Sequence, residues 1–298
     1  MNDLSNNKSV EVEGFQEVVF SVTDLALATQ FYQKVVGFEI IHQGKATARQ
    51  IDFWQLPKET EVEEVILGNK GDNKGYLRLL KFYHIDQEQI RSSAHSWDSG
   101  AIFDINLRSK DLNAIFKEFQ ENGWNGVSDP IRYQFGPFDV SEVLMKGPDG
   151  IVIAMMERHA PPLEGFPNLK KLSHVFNSSH ICKDVDVTLD FFTNKLGWKV
   201  YMQAQSTGRN AVENVLGFPY NINPSIELPV YIVHPKGNNL GSLEFIQVKG
   251  LTGKDFGDKA KPPNLGILMY RFPVSNAIAY AEELKTNGVN LLLSLIHI

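Results

Sequence analysis

The run EVVFSVTDLALATQFYQKVVGFEII, Glu17 to Ile41, has a counterpart in NSSHICKDVDVTLDFFTNKLGWKVY, Asn177 to Tyr201. Asp24 stands 13 residues before Gly37, and Asp184 stands 13 before Gly197. The aromatic pair Phe31-Tyr32 corresponds to Phe191-Phe192, and the offset throughout is 160 residues. A second pair interleaves with the first: FDINLRSKDLNAIFKEFQENGW, Phe103 to Trp124, and LMYRFPVSNAIAYAEELKTNGV, Leu268 to Val289. The chain is therefore a four-fold internal repeat, and repetition at a fixed spacing means one supersecondary unit used again.

Each unit has one physical grammar. A β-branched and aromatic run, such as Val18 to Val22 or Ile102 to Leu107, alternates as a strand with one buried face. Asp24, Asp111, Asp184 and Asn276 follow at positions suited to cap a helix. Apolar residues then recur at helical spacing, for example Leu25, Ala28, Phe31, Tyr32 and Val36. A glycine closes each helix, as left-handed termination favours. Further strands are expected at Phe38–His42, Arg49–Gln55 and Tyr76–Phe82 in the first unit, and at Ile131–Phe135, Ser141–Lys146 and Ile151–Met156 in the second. The unit reads β-α-β-β-β.

Composition narrows the function classes. The 298 residues are 43% apolar and 21% charged, ordinary for a globular chain. Lys plus Arg is 29 and Asp plus Glu is 35, a net charge of −6. A mildly acidic chain with no basic cluster argues against nucleic acid as partner. No apolar run reaches the ~20 residues a membrane span needs. The start MNDLSNNKSVEVEG lacks the apolar core of a signal peptide, and the expected location is cytoplasmic. The single cysteine, Cys182, excludes an internal disulfide and a cysteine-built zinc site. There is no P-loop, no dinucleotide-binding glycine pattern and no HExxH.

The residues Val22-Thr23-Asp24, Phe31-Tyr32 and Val36-Gly37-Phe38, with Gly147-Pro148-Asp149-Gly150 before a final strand, resemble the vicinal oxygen chelate superfamily. That superfamily includes glyoxalase I, type I extradiol dioxygenases and bleomycin-resistance proteins. The resemblance runs from about Phe15 to Leu292. It implies an α+β fold of tandem β-α-β-β-β modules in two glyoxalase-like domains, each curled into a cup. The expected domains are 14–159 (modules 14–84 and 99–159) and 172–292, joined by a proline-bearing linker at 160–171. By the ruler of the second module the fourth falls some 25 residues short. Residues 293–298 are read as an artefactual tail, and His297 within it is not taken as a ligand.

In the family the cup holds one divalent metal, Fe, Mn, Zn or Ni, that acts as a Lewis acid on a bidentate substrate. Family ligands sit seven residues before the helix-opening Asp, which gives Glu17, Asp104, Asn177 and Met269 here. Others sit in the last strand, which gives Arg78, Ala154 and Glu244. Two oxygen donors, Glu17 and Asp104, thus face an arginine in the first cup. An ion cluster of Arg78 with Glu17 and Asp104 is favoured there over a metal, since one guanidinium satisfies two buried carboxylates. In the second cup Glu244 stands alone. His180 joins it as a metal ligand only through a strand bulge, and is otherwise a hydrogen-bonded histidine at a strand edge. Arg78, Trp54, Asn177, Phe218 and Tyr220 are the candidate substrate-binding residues, with core filling the competing role for Trp54 and Tyr220. Arg49 and Arg209 sit at matching places and are candidate anchors for an anion. Two functions are expected. One is a small oxygenated or aromatic metabolite handled by a metal-assisted lyase or dioxygenase. The other is a metal-free binding or sequestering protein, monomeric or homodimeric.

Overall fold

The structure, a computed structural model, describes residues 10–206 and 210–291. Arg209 and the tail 293–298 lie outside the described residues. The first module comprises β1 (Glu17–Ser21), α1 (Leu25–Phe31), β2 (Glu39–Lys45), α2 (Ala48–Phe53), β3 (Glu61–Gly68) and β4 (Tyr76–Tyr83). The second comprises β5 (Asp104–Arg108), α3 (Leu112–Glu121), β6 (Asn125–Gly126), β7 (Ile131–Phe135), β8 (Phe138–Lys146) and β9 (Val152–Ala160). The third comprises β10 (Asn177–Ile181), α4 (Val185–Asp190), β11 (Lys199–Ser206), β12 (Leu228–His234) and β13 (Ser242–Ile246). β14 (Gly266–Arg271) and α5 (Ala277–Thr286) follow.

The helix starts are where the repeat places them. Asp24 accepts from the Leu27 amide at 2.9 Å, Asp111 from Ala114 at 3.0 Å, and Asn276 from Ala279 at 3.0 Å. Asp184 accepts from both Asp186 and Val187. Each cap satisfies a backbone donor that the helix leaves unpaired, worth about 1 kcal/mol. In the first and third modules the helix ends in one π-helical turn, Tyr32–Val36 and Phe191–Lys195. Gly37, at φ 88°, then reverses the chain. The same irregularity at the same repeat position marks the two copies as one design.

One expected strand is a helix. Arg49–Gln55 falls on α2, and the third strand of the module lies later, at Glu61–Gly68. Thr47 and Gln50 form a reciprocal capping box, a start signal three residues apart that outweighs the β-branched character of the stretch.

Two sheets result, with orders β14-β1-β4-β3-β2 and β11-β12-β13-β10-β5-β9-β8-β6, β7 pairing β8. The chain-order expectation puts the first two modules around one cup; the ladders join them otherwise. β5 of the second module pairs antiparallel with β10 of the third, Asn106 opposite Asn177 and Asp104 opposite Ser179. β1 of the first pairs antiparallel with β14, Glu17 opposite Arg271. In the first three modules the first strand is closed on one side by its module's last strand, which leaves one free edge. Polar side chains at the seam also join the two sheets. The Tyr270 hydroxyl of β14 meets the Ser178 hydroxyl at 2.8 Å and His180 Nε2 at 2.7 Å on β10.

The main core lies between the convex faces of the sheets and the helices. It contains Phe20, Leu79, Ile105, Phe119, Met155 and Phe245, among others, each nearly or fully buried. Two smaller clusters line the concave faces: Val19, Ile51, Leu80 and Phe82 in the five-stranded sheet, and Leu144, Ala154, Phe218, Val230 and Ile246 in the nine-stranded sheet.

Candidate functional site

Period-2 alternation decides what faces the nine-stranded cup. On β5, Asp104, Asn106 and Arg108 point inward while Ile105 and Leu107 enter the main core. On β10, Asn177 and Ser179 share the inward face. β13 contributes Glu244 and Ile246, β8 contributes Glu142 and Leu144, and β7 contributes Tyr133. Asp104, Ser179, Glu244, Ile246, Glu142, Leu144 and Tyr133, with Val215 and Leu216 from the loop after β11, line a cavity of about 380 Å³, and Asn106, Arg108 and Asn177 line a smaller one beside it.

The centre of this cavity is acidic. Ser179 is opposite Asp104 on one side and Glu244 on the other. The two acids are thus two strand spacings apart, roughly 9–10 Å along the backbone. The Asp104 carboxylate accepts from the Ser179 amide at 3.2 Å. Tyr133 donates its hydroxyl to Glu142. The Glu244 carboxyl group has no hydrogen-bond partner among the described residues. Burial pushes Asp104 up to about 7, and the neighbouring Glu142 charge adds to it. Burial pushes Glu244 up to about 8, reinforced by the charges of Asp104 and Glu142. Glu142 is raised for the same first reason. Both mechanisms disfavour the ionised form. Arg108, 3% exposed, and Arg158 are cations on this face; burial and the nearby Arg158 lower the pKa of Arg108 to about 10.

The donor set does not fit a resident metal ion. Among the described residues no three His, Cys, Asp or Glu side chains converge as a metal site. Asn177 is committed, donating to Ser242 at 2.7 Å and accepting from Asn106 at 2.8 Å. The expected last-strand position of the second module carries the methyl group of Ala154.

The expected metal ligands separate. Asp104 and Glu244 share this cup. Glu17 is in the other sheet, so the expected cluster of Arg78 with Glu17 and Asp104 is corrected in its second partner. Arg78 Nε lies 2.8 Å from Glu17, and its Nη1 lies 2.6 Å from Glu64 of β3. The pairing of β1 with β14 instead of β5 takes Asp104 out of reach. His180 does not face the cup. Both neighbours of β10 run in unbroken register, so no bulge turns it. It points into the seam, with Nδ1 3.1 Å from the Ala101 carbonyl and Nε2 on Tyr270. Burial lowers its pKa to about 4.

The remaining candidates divide. Asn177 lines the smaller cavity, of about 60 Å³, beside the main one. Phe218 is buried in its apolar wall, 6.1 Å from the Trp97 ring. Tyr220 is 67% exposed and outside the cavity, carried outward by the turn after Pro219. Trp54 ends α2 and packs on Phe82 at 5.8 Å over the five-stranded sheet. Glu142, Tyr133 and Glu64 escaped the sequence reading because it tested only first and last strands, and Arg108 because only one position of each first strand was tested. Glu64 stands two residues after buried Val62 in a strand and so shares its face, a pattern that marks an inward carboxylate.

Residues 14–155 match the model of the Glyoxalase/Bleomycin resistance protein/Dioxygenase superfamily. No curated protein sequence matches the chain. Among solved structures, glyoxalase I from Zea mays is 13% identical, with 93% of this chain and 80% of that chain covered and a TM-score of 0.58. A point mutant of glyoxalase I from Zea mays, in a crystal of space group P6(3), gives 12%, 94%, 80% and 0.59. Identity at this level speaks for the fold: the chain has the glyoxalase-type α+β architecture.

Proposed function

Residues 14–155 belong to the glyoxalase, bleomycin-resistance and dioxygenase superfamily, and from that premise we propose that the protein binds a small organic molecule in the cup shared by its second and third modules. The observation that carries this reading is the cavity of about 380 Å³ with an apolar wall and convergent polar groups at its centre, the composition of small-molecule sites. The opposite concavity supports the choice by contrast, since Arg78, Glu17 and Glu64 satisfy one another there. The lyase or dioxygenase chemistry that family resemblance implies would need a metal these donors do not fit, and no step is routed through one. A fragment set observed by ligand NMR tests the reading. Fragments are expected to bind the wild-type protein and to be lost in Val230→Trp, which fills the apolar wall; binding unchanged by that substitution would place the site elsewhere.

A second reading is favoured by one observation. Asp104 and Glu244 have their proton affinities brought to about 7 and about 8, where a carboxyl group both takes and returns a proton. An acid–base enzyme would use them on a ligand C–H or hydroxyl. Protein-dependent deuterium washout from a bound carbonyl fragment, abolished in Glu244→Gln, is its expected signature; washout equal in wild type and variant refutes it.

A further inference from the structure

The four-fold repeat allows the cups to be compared position by position. In the first module, Arg78 is level with Val19 of β1 and Ile66 of β3. In the second module, Ala154 is level with Asn106 of β5 and Leu144 of β8. Val19 and Asn106 each stand five residues before the helix-capping aspartate. Ala154 is therefore the register equivalent of Arg78. Two residues before those first-strand positions are Glu17 and Asp104. Two residues before Ile66 and Leu144 are Glu64 and Glu142. The carboxylates that clamp the guanidinium of Arg78 in one module, at 2.8 and 2.6 Å, recur in the other, and the arginine does not.

The second module thus keeps the acidic clamp without its cation. The third module adds Glu244, a further acid with no hydrogen-bond donor among the described residues. Among the described residues no cation lies within 4 Å of these acids: Arg158 stacks on the Phe138 ring at 3.9 Å, and Arg91 donates to the carbonyls of Gly100, His95 and Asp98. Arg108 is on the same face, but its guanidinium donates to the Met156 sulfur at 2.6 Å and lies 4.1 Å from the Phe176 ring centre. It forms no ion pair within 4 Å among the described residues. One oxygen of Glu142 has a neutral donor, Tyr133, and the other has no described partner. The cavity of about 380 Å³ opens against Asp104, Glu142 and Glu244 together.

We propose that the ligand of this cup carries an organic cation, a planar guanidinium or amidinium, which seats between Asp104 and Glu142 as Arg78 seats between Glu17 and Glu64. The inference rests on the reading that the cup binds a small molecule, and it names the chemical class. Buried carboxyls without a counter-charge hold their protons. A planar cation with a fork of N–H donors returns them to the ionised state by bidentate pairing. The apolar wall of Leu228, Val230 and Ile246 suits a hydrophobic body attached to that head. Binding releases protons, so affinity rises with pH as Asp104 and Glu244 give theirs up, while Arg108 and the amidinium stay charged.

Benzamidinium and its neutral isostere benzamide are the probes, measured by calorimetry on the full chain at pH 6 and pH 8. Benzamidinium is expected to bind at least tenfold tighter than benzamide at pH 8, with net proton release and a smaller preference at pH 6. Glu142→Gln should remove most of that preference. Ala154→Arg should replace the ligand with a tethered guanidinium and abolish benzamidinium binding; should this variant not fold, Glu142→Gln alone decides. Equal binding of the two probes would overturn the cation and leave the cup reading standing. Binding of neither would overturn both.

Discussion

Arg78→Met removes the guanidinium that holds the five-stranded sheet's two inward carboxylates. Arg78, Glu17 and Glu64 side chains are 9%, 13% and 8% exposed, so screening by water is weak and the surface-pair value of under about 1 kcal/mol does not apply. Removing one partner from a buried pair costs about 3–5 kcal/mol, because the other charge is left without solvent or counter-ion. The two carboxylates do not suffer equally. Glu17 keeps Arg271 at 3.0 Å, whereas Glu64 retains only the exposed His42 at 3.5 Å. Most of the loss therefore comes from Glu64. At about 2–4 °C per kcal/mol for chains of 150–250 residues, the melting temperature should fall by roughly 10 °C. The assay is thermal and urea unfolding of wild type, Arg78→Met, Glu64→Gln and the double variant. The double variant is expected to be more stable than Arg78→Met, since it no longer buries an unpaired charge. A loss below about 1 kcal/mol in the single variant, or a double variant less stable than it, would refute the clamp and with it the comparison between the cups.

Glu244→Gln tests the acidic centre without ligand. The folded pKa of Glu244 is raised from 4.5 to about 8, so its contribution is fully present below pH 4.5 and is lost as pH rises through 8. Wild type should lose on the order of a few kcal/mol more than the variant between pH 5 and pH 8, and parallel stability curves would contradict this. His180 has the opposite sign. Its folded pKa is lowered to about 4, so it destabilises the fold as pH falls below 6.5, and His180→Gln should narrow the gap in melting temperature between pH 7 and pH 5. Tyr270→Phe deletes the hydroxyl bridging Ser178 and His180 and should cost about 1–3 kcal/mol in urea unfolding, because two buried groups lose a partner. Asp24→Ala should cost about 1 kcal/mol in the same assay through the lost helix cap.

The modules were legible in the sequence because their determinants are local. A capping Asp or Asn, a helical apolar stripe and a closing glycine fall within about 20 residues, and the structure places all four caps on the expected residues. Their pairing was not legible. Whether the edge of β5 meets β1 or β10 is settled between residues such as Asp104 and Ser179, 75 apart in sequence, which no short-range pattern encodes. That error carried Asp104 into the wrong cluster, although Arg78 was read correctly as the centre of an ion pair with Glu17. Asp104 and Glu244 were named from the ligand positions that the family resemblance implies, and they line one cavity. Glu142 was missed because its strand is neither first nor last in the module, and Tyr220 failed because sequence does not show which side of a turn faces solvent.

The most direct test is a crystal structure of the full chain soaked with benzamidinium. Density for the amidinium between Asp104 and Glu142, with the ring toward Val230, is the predicted result. A ring seated outside the space between Asp104 and Glu142, while that space stays filled only by solvent, would contradict the account.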